Sequence, residues 1–175
     1  MRDVIKLFEE ARAQEKTGFA RKSRLVDARP AVPGEVIETV IAGEGVETVS
    51  SPAKEGDMVV RNRCPATGNE EILVSAKKFE GRYEGPLDDA AQPMGSQSMD
   101  SEPVWSTYRP LGVEMAYFII PPSLGSFTFL APWGEQMIAH PGDAIVQDPR
   151  DTIDTYRIAA AAFACTYEII APAAP

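Results

Sequence analysis

Two stretches decide the reading of this chain: Ala53-Lys54-Glu55-Gly56-Asp57-Met58-Val59-Val60 and Ala139-His140-Pro141-Gly142-Asp143-Ala144-Ile145-Val146. Each is a Gly-Asp turn that opens onto a short apolar run. Further on, Leu73-Val74-Ser75-Ala76-Lys77-Lys78-Phe79-Glu80-Gly81-Arg82-Tyr83-Glu84 faces Arg157-Ile158-Ala159-Ala160-Ala161-Ala162-Phe163-Ala164-Cys165-Thr166-Tyr167-Glu168. The pairs Ala53/Ala139, Gly56/Gly142, Asp57/Asp143, Val60/Val146, Ala76/Ala160, Phe79/Phe163, Tyr83/Tyr167 and Glu84/Glu168 are identical. Ordinary composition predicts roughly 2 identities by chance in about 30 positions. The pattern therefore reads as one unit written twice.

Each copy predicts the same elements. In the first, Glu35–Ile41 and Val46–Ser50 flank Gly43-Glu44-Gly45 as a hairpin. Met58–Arg61 and Glu71–Val74 follow as strands. Ser75 is placed to cap a short helix, Ala76–Arg82, with Phe79 and Tyr83 four residues apart on one face. In the second, Val113–Ile120 is an apolar strand, and Ser126–Leu130 pairs with Gln136–Ala139 through Trp133-Gly134. Pro141-Gly142 suits a type II turn, since Pro presets φ and Gly supplies φ > 0. Ala144–Gln147, Asp154–Ile158, a helix over Ala159–Cys165 and a strand over Tyr167–Ile170 complete it. A weaker upstream match sets Val26-Asp27-Ala28 against Val113-Glu114-Met115.

The expected fold is mainly β (α+β): two tandem copies of a small bent sheet or half-barrel, each with one short helix. Val4, Ile5, Leu7, Phe8 and Ala11 add an amphipathic N-terminal helix, expected to pack on the first copy or on a partner. The organisation reads as an N-terminal helix over 1–18, a first unit over 19–86, a Gly/Pro/Ser-rich linker over 87–104, a second unit over 105–171 and a tail over 172–175.

At these residues the chain resembles a group of small bacterial and phage proteins named for a Pro-Gly-Asp-Tyr-Gly turn. Pro141-Gly142-Asp143 and Phe163…Tyr167-Glu168 match one copy of that pattern, and Glu55-Gly56-Asp57 and Phe79…Tyr83-Glu84 the other. Met58 and Ala144 stand where the family turn has Tyr, and Glu55 replaces its Pro. The resemblance implies a fold and its doubling, and supplies no catalytic residue.

The chain has 175 residues and a net charge of −9, from 26 acidic against 17 basic side chains. That balance argues against nucleic acid, whose binding requires clustered Lys and Arg, and against anionic membrane surfaces. The densest basic stretch, Arg21, Lys22, Arg24 and Arg29, reads as a solvated strand flank. The apolar runs Met115–Pro122 and Ile158–Cys165 are too short to span a bilayer. Two cysteines outside any Cys-x-x-Cys pair suggest a reducing, cytoplasmic setting.

Candidate chemistry is sparse. His140 is the only histidine, so a His-rich zinc site is excluded. With Asp143 and Asp57 it supplies the weak catalytic candidates, a general base and a carboxylate pair. An Asp after a turn Gly more often accepts backbone N–H bonds and fixes the turn. Tyr83, Glu84, Tyr167 and Glu168 are the binding candidates, with Phe79 and Phe163 as anchors. Cys64 lies in a loop with Arg61 and Arg63 but has no base partner to make it a nucleophile, and Cys165 reads as a small buried hydrophobe. No metal or cofactor is expected. The favoured reading is a binding or interaction protein for a small molecule or a protein. The alternatives are an enzyme with an acidic site at Asp57, Asp143 and His140 between the two units, and a self-associating protein such as a homodimer.

Overall fold

A computed structural model describes residues 1–87 and 104–175; the predicted linker, its two ends apart, lies outside the described residues. The fold is β-rich, and the described residues form three α-helices and two open five-stranded sheets, beside two separate hairpins. Helix α1 spans Val4–Ala13. Strands β1 to β7 are Gly18–Lys22, Val26–Pro30, Glu38–Ile41, Gly45–Val49, Met58–Asn62, Glu71–Val74 and Tyr83–Glu84, with helix α2, Ala76–Arg82, between the last two. Strands β8 to β14 are Ser106–Pro110, Met115–Ile119, Phe127–Leu130, Gln136–Ala139, Ala144–Asp148, Asp151–Ile158 and Tyr167–Ala171, with helix α3, Ala160–Thr166, between β13 and β14.

The first sheet runs β6-β5-β2-β8-β7 and the second β13-β12-β9-β1-β14. With β2 set against β9 and every later element against its counterpart, the two orders coincide when β8 is set against β1. The hairpins β3-β4 and β10-β11 correspond in the same way. The middle-to-end strand of each sheet thus comes from the other half of the chain. β1 opens the first half but lies between β9 and β14, antiparallel to both. β8 opens the second half but lies between β2 and β7. The predicted units 19–86 and 105–171 are therefore not the two sheets, because each lends its first strand across.

The registers fix the equivalence. Val60 faces Ala28, and its counterpart Val146 faces Tyr117. Val26 therefore corresponds to Met115, two residues beyond the match read from the sequence. Lys22 faces Tyr167, and Pro110 faces Tyr83.

Local chemistry repeats as well. Gly56 and Gly142 carry φ of 90° and 92°. Asp57 accepts from the backbone N–H groups of Lys54 (2.9 Å) and Ala76 (3.3 Å). Asp143 accepts from those of His140 (2.8 Å) and Ala160 (3.0 Å). Each Asp ties its turn to the N-terminus of the helix that follows, satisfying donors a helix start leaves open. Phe79 stacks on Tyr83 at 5.1 Å between centroids, and Phe163 on Tyr167 at 5.2 Å.

Helix α1 packs on the second half. Asp3 caps it by accepting from Ile5 and Lys6 N–H groups. Val4 and Phe8 are buried against Phe118, Ile120, Phe129 and Met137. The expectation of a first-unit contact fails because Phe118 of β9 and Phe127 and Phe129 of β10, with Ile145 of β12, form the apolar bed that takes Val4 and Phe8. The exchanged strand β1, which follows the helix, also carries the chain to that sheet. No described helix is long and apolar enough to cross a membrane.

Candidate functional site

Between the two halves lies a cavity of about 580 Å3, within the range of about 300–1,000 Å3 usual for small-molecule sites. Ile72, Val74, Val113, Met115 and Ile158 give it apolar walls. Both halves and both exchanged strands contribute: Lys22 ends β1, and Pro110 ends β8.

One part of the lining is cationic and phenolic. Lys22 Nζ donates to the Tyr83 hydroxyl over 2.9 Å. Arg82, on the last turn of α2, donates to Asp148 and Asp154, each at 3.0 Å. Burial, followed by the neighbouring phenols of Tyr156 and Tyr83, pushes the Tyr167 pKa well above its ordinary value. Tyr167 therefore keeps its proton. Lys78 Nζ donates to Asp154 at 3.0 Å and sits 4.7 Å from the Tyr156 ring centroid and 5.6 Å from that of Trp133.

The carboxylates of the lining are engaged elsewhere. Glu135 accepts from Thr48, Ser51 and the Trp133 indole, linking the two hairpins. Glu70 accepts from Asn62 and from Thr67. Asn62 Oδ1 is buried without a protein partner.

Arg157 is the most constrained group. Its side chain is fully buried; Nε donates to Asp143 at 2.8 Å, Nη2 to Glu44 at 2.9 Å, and Nη1 lies 2.9 Å from Glu47. Burial opposes the guanidinium charge, but the three carboxylates together raise its pKa. For Glu47 the balance reverses, and burial pushes its pKa up against the pull of Arg157. Glu44 and Glu47 come from the first half and Arg157 from the second, so this cluster clamps the β3-β4 hairpin to the second sheet.

The residues singled out in the sequence divide. Tyr83 and Tyr167 line the cavity together. Glu84 and Glu168 do not; they form exposed ion pairs with Arg109 and Arg21. Asp57 lines the cavity, but both of its oxygens hold backbone amides. Asp143 and His140 are outside the lining, and His140 Nδ1 meets Ser126 Oγ at 2.9 Å. Cys64 is fully buried rather than in an open loop, and Arg61 and Arg63 turn to Asp27 instead. The basic stretch divides: Arg21 and Arg24 are exposed as a solvated flank would be, whereas Lys22 faces the cavity and Arg29 is paired with Glu35.

Lys78, Arg82, Tyr156 and Arg157 went unrecognised as site residues in the sequence, and Lys22 was read there only as part of a basic strand flank. Arg157 left a signal, since it stands where the first copy has Leu73. Among the described residues no cluster of His, Cys, Asp and Glu is arranged to hold a metal ion. Comparison with family models, curated proteins and solved structures gives no match to this chain.

Proposed function

We propose that this protein is a duplicated, strand-exchanged β module that binds a small molecule in the cavity between its halves. The duplication is supported by two sheets of matching strand order and by the paired bonds of Asp57 and Asp143. The resemblance to Pro-Gly-Asp-Tyr-Gly proteins adds a turn pattern to this reading and no activity. Binding is supported by one observation above the others: the cavity combines apolar walls with a few convergent polar groups, and every half of the chain contributes to it. Catalysis by Asp57, Asp143 and His140 is less well supported, because the two aspartates spend their oxygens on backbone amides and His140 lies outside the lining.

The test is binding of Nile red, an uncharged dye that brightens in apolar surroundings. The protein should enhance its emission saturably, and Val113→Trp, which projects bulk into the cavity, should abolish the enhancement while leaving the circular dichroism spectrum unchanged. Equal enhancement by the variant would reject the cavity as the site. Trp133, beside Lys78 and Tyr156, serves as an internal reporter in a Trp105→Phe background, since Trp105 lies away under Arg61.

A further inference from the structure

Resting on the cavity reading, we infer that the ligand is an amphipathic monocarboxylate whose head group is received by Lys22, Tyr83 and Tyr167. The argument is an inventory of charge. The cations facing the cavity are Lys22, Lys54, Lys78, Arg82 and Arg157. Lys78 is held by Asp154, Arg82 by Asp148 and Asp154, and Arg157 by Asp143, Glu44 and Glu47. Lys54 is exposed to solvent. Lys22 is half-buried, and among the described residues its partners are the neutral hydroxyl and ring of Tyr83. An ammonium has three donors, so two remain for a ligand.

The phenols complete a receiving group. Tyr83 accepts from Lys22, which leaves its own proton to donate. Tyr167 lies directly opposite Lys22 across the β1-β14 ladder and retains its proton. Ammonium and phenol donors beside an apolar cavity suit a carboxylate, because charge-assisted hydrogen bonds are the strong ones in a partly dehydrated site. Among the described residues, Lys22 is the one partly buried cation of the lining that no carboxylate holds, and it matches one negative charge; the lining carboxylates Asp57, Glu70 and Glu135 are satisfied by neutral donors. A phosphate dianion would bring a second negative charge into a lining that already carries Glu70, Glu135 and Asp154. The Ile72, Val74, Met115 and Ile158 walls take the alkyl or aryl body.

The position equivalent to Lys22 is Pro110, so the pairing of the two halves supplies two tyrosines but only one lysine. The head group therefore has one place to sit, and the ligand one orientation.

The experiment displaces Nile red from the full chain with decanoate, decanol, decyl phosphate and decyltrimethylammonium below their aggregation limits. Decanoate should displace at a concentration at least tenfold below decanol and below decyl phosphate, and the cation should be weakest. Lys22→Met and Tyr83→Phe should each weaken decanoate about tenfold while leaving Nile red and decanol unchanged; Lys22→Arg should restore most of the loss. Tyr83→Phe keeps the stacked ring and guards against misfolding of the lysine variant. Decanol equal to decanoate, with Nile red still bound, would overturn the carboxylate assignment and keep the cavity. Decyl phosphate as the stronger competitor would also overturn it. No displacement and no Nile red binding would overturn both.

Discussion

Arg21, from the first strand of the first half, lies opposite Glu168, in the last strand of the second half, and its Nε donates to the Glu168 carboxylate over 2.7 Å. Arg109 and Glu84 repeat the pairing in the other sheet at 3.2 Å. The two pairs mark the ends of a reciprocal exchange in which each half completes the other's sheet. Lys22 and Pro110 reach the cavity at the ends of the exchanged strands.

These ion pairs are about half exposed at every side chain, so they mark the register more than they hold it. Arg21→Ala and Arg109→Ala should each cost about 0.2–1 kcal/mol in urea unfolding. Gly18→Val should cost more than about 2 kcal/mol, because a Cβ at Gly18 would meet the Ala171 carbonyl oxygen and the Ala173 nitrogen inside contact distance. Equal, small losses at all three sites would mean that β1 is not inserted beside β14.

Asp57 and Asp143 make the same backbone bonds, but only Asp143 also holds a buried guanidinium. Asp57→Ala should therefore cost about 1 kcal/mol, the usual loss of a capping side chain. Asp143→Ala should cost about 3–5 kcal/mol, because it breaks a buried ion pair. Denaturant midpoints decide the matter, and similar losses would contradict the assigned role of Arg157.

Burial raises the Glu47 pKa above its ordinary value of 4.5. A carboxyl that binds its proton more tightly when folded lends stability that is complete below about pH 4.5 and is lost as pH rises through the folded pKa. Glu47→Gln mimics the protonated form. Its stability relative to the native protein should be near zero at pH 4 and should grow toward pH 8. A gap that shrinks as pH rises would show that the Arg157 pairing outweighs burial.

Burial, reinforced by Cys64, also raises the Cys165 thiol pKa, with Arg24 acting against it. A protonated, partly buried thiol reacts slowly. Ellman's reagent should modify Cys165 slowly at pH 7.5, and Cys64, which is fully buried, only as fast as the protein unfolds. Rapid native-state modification of both thiols would contradict their placement between the halves.

Much of the fold was legible in the sequence where periodicity and turn chemistry were local. Ser75 and the Phe79–Tyr83 spacing located α2, and Gly56-Asp57 and Gly142-Asp143 located the turns before β5 and β12. β1 and β8 were not legible: Gly18–Lys22 and Ser106–Pro110 are short and partly charged, and their burial arises from neighbours in the other half. The one sign was Arg21 and Arg109, which occupy equivalent positions in the two sheets without lying in the stretches that match in sequence. The site was half legible. Tyr83 and Tyr167 recur and so drew notice, whereas Lys22 and Arg157 matter because their counterparts, Pro110 and Leu73, differ. A search for identities passes over such positions.

The exchange itself is tested most directly by cross-strand nuclear Overhauser effects on the uniformly labelled full chain. The account predicts contacts from residues 18–20 to 115–117 and from 19–22 to 167–171, with the mirrored set from 106–108 to 26–28 and from 109–110 to 83–84. Contacts of 18–22 with 26–28 and 83–84 instead would contradict it, because each half would then have completed its own sheet.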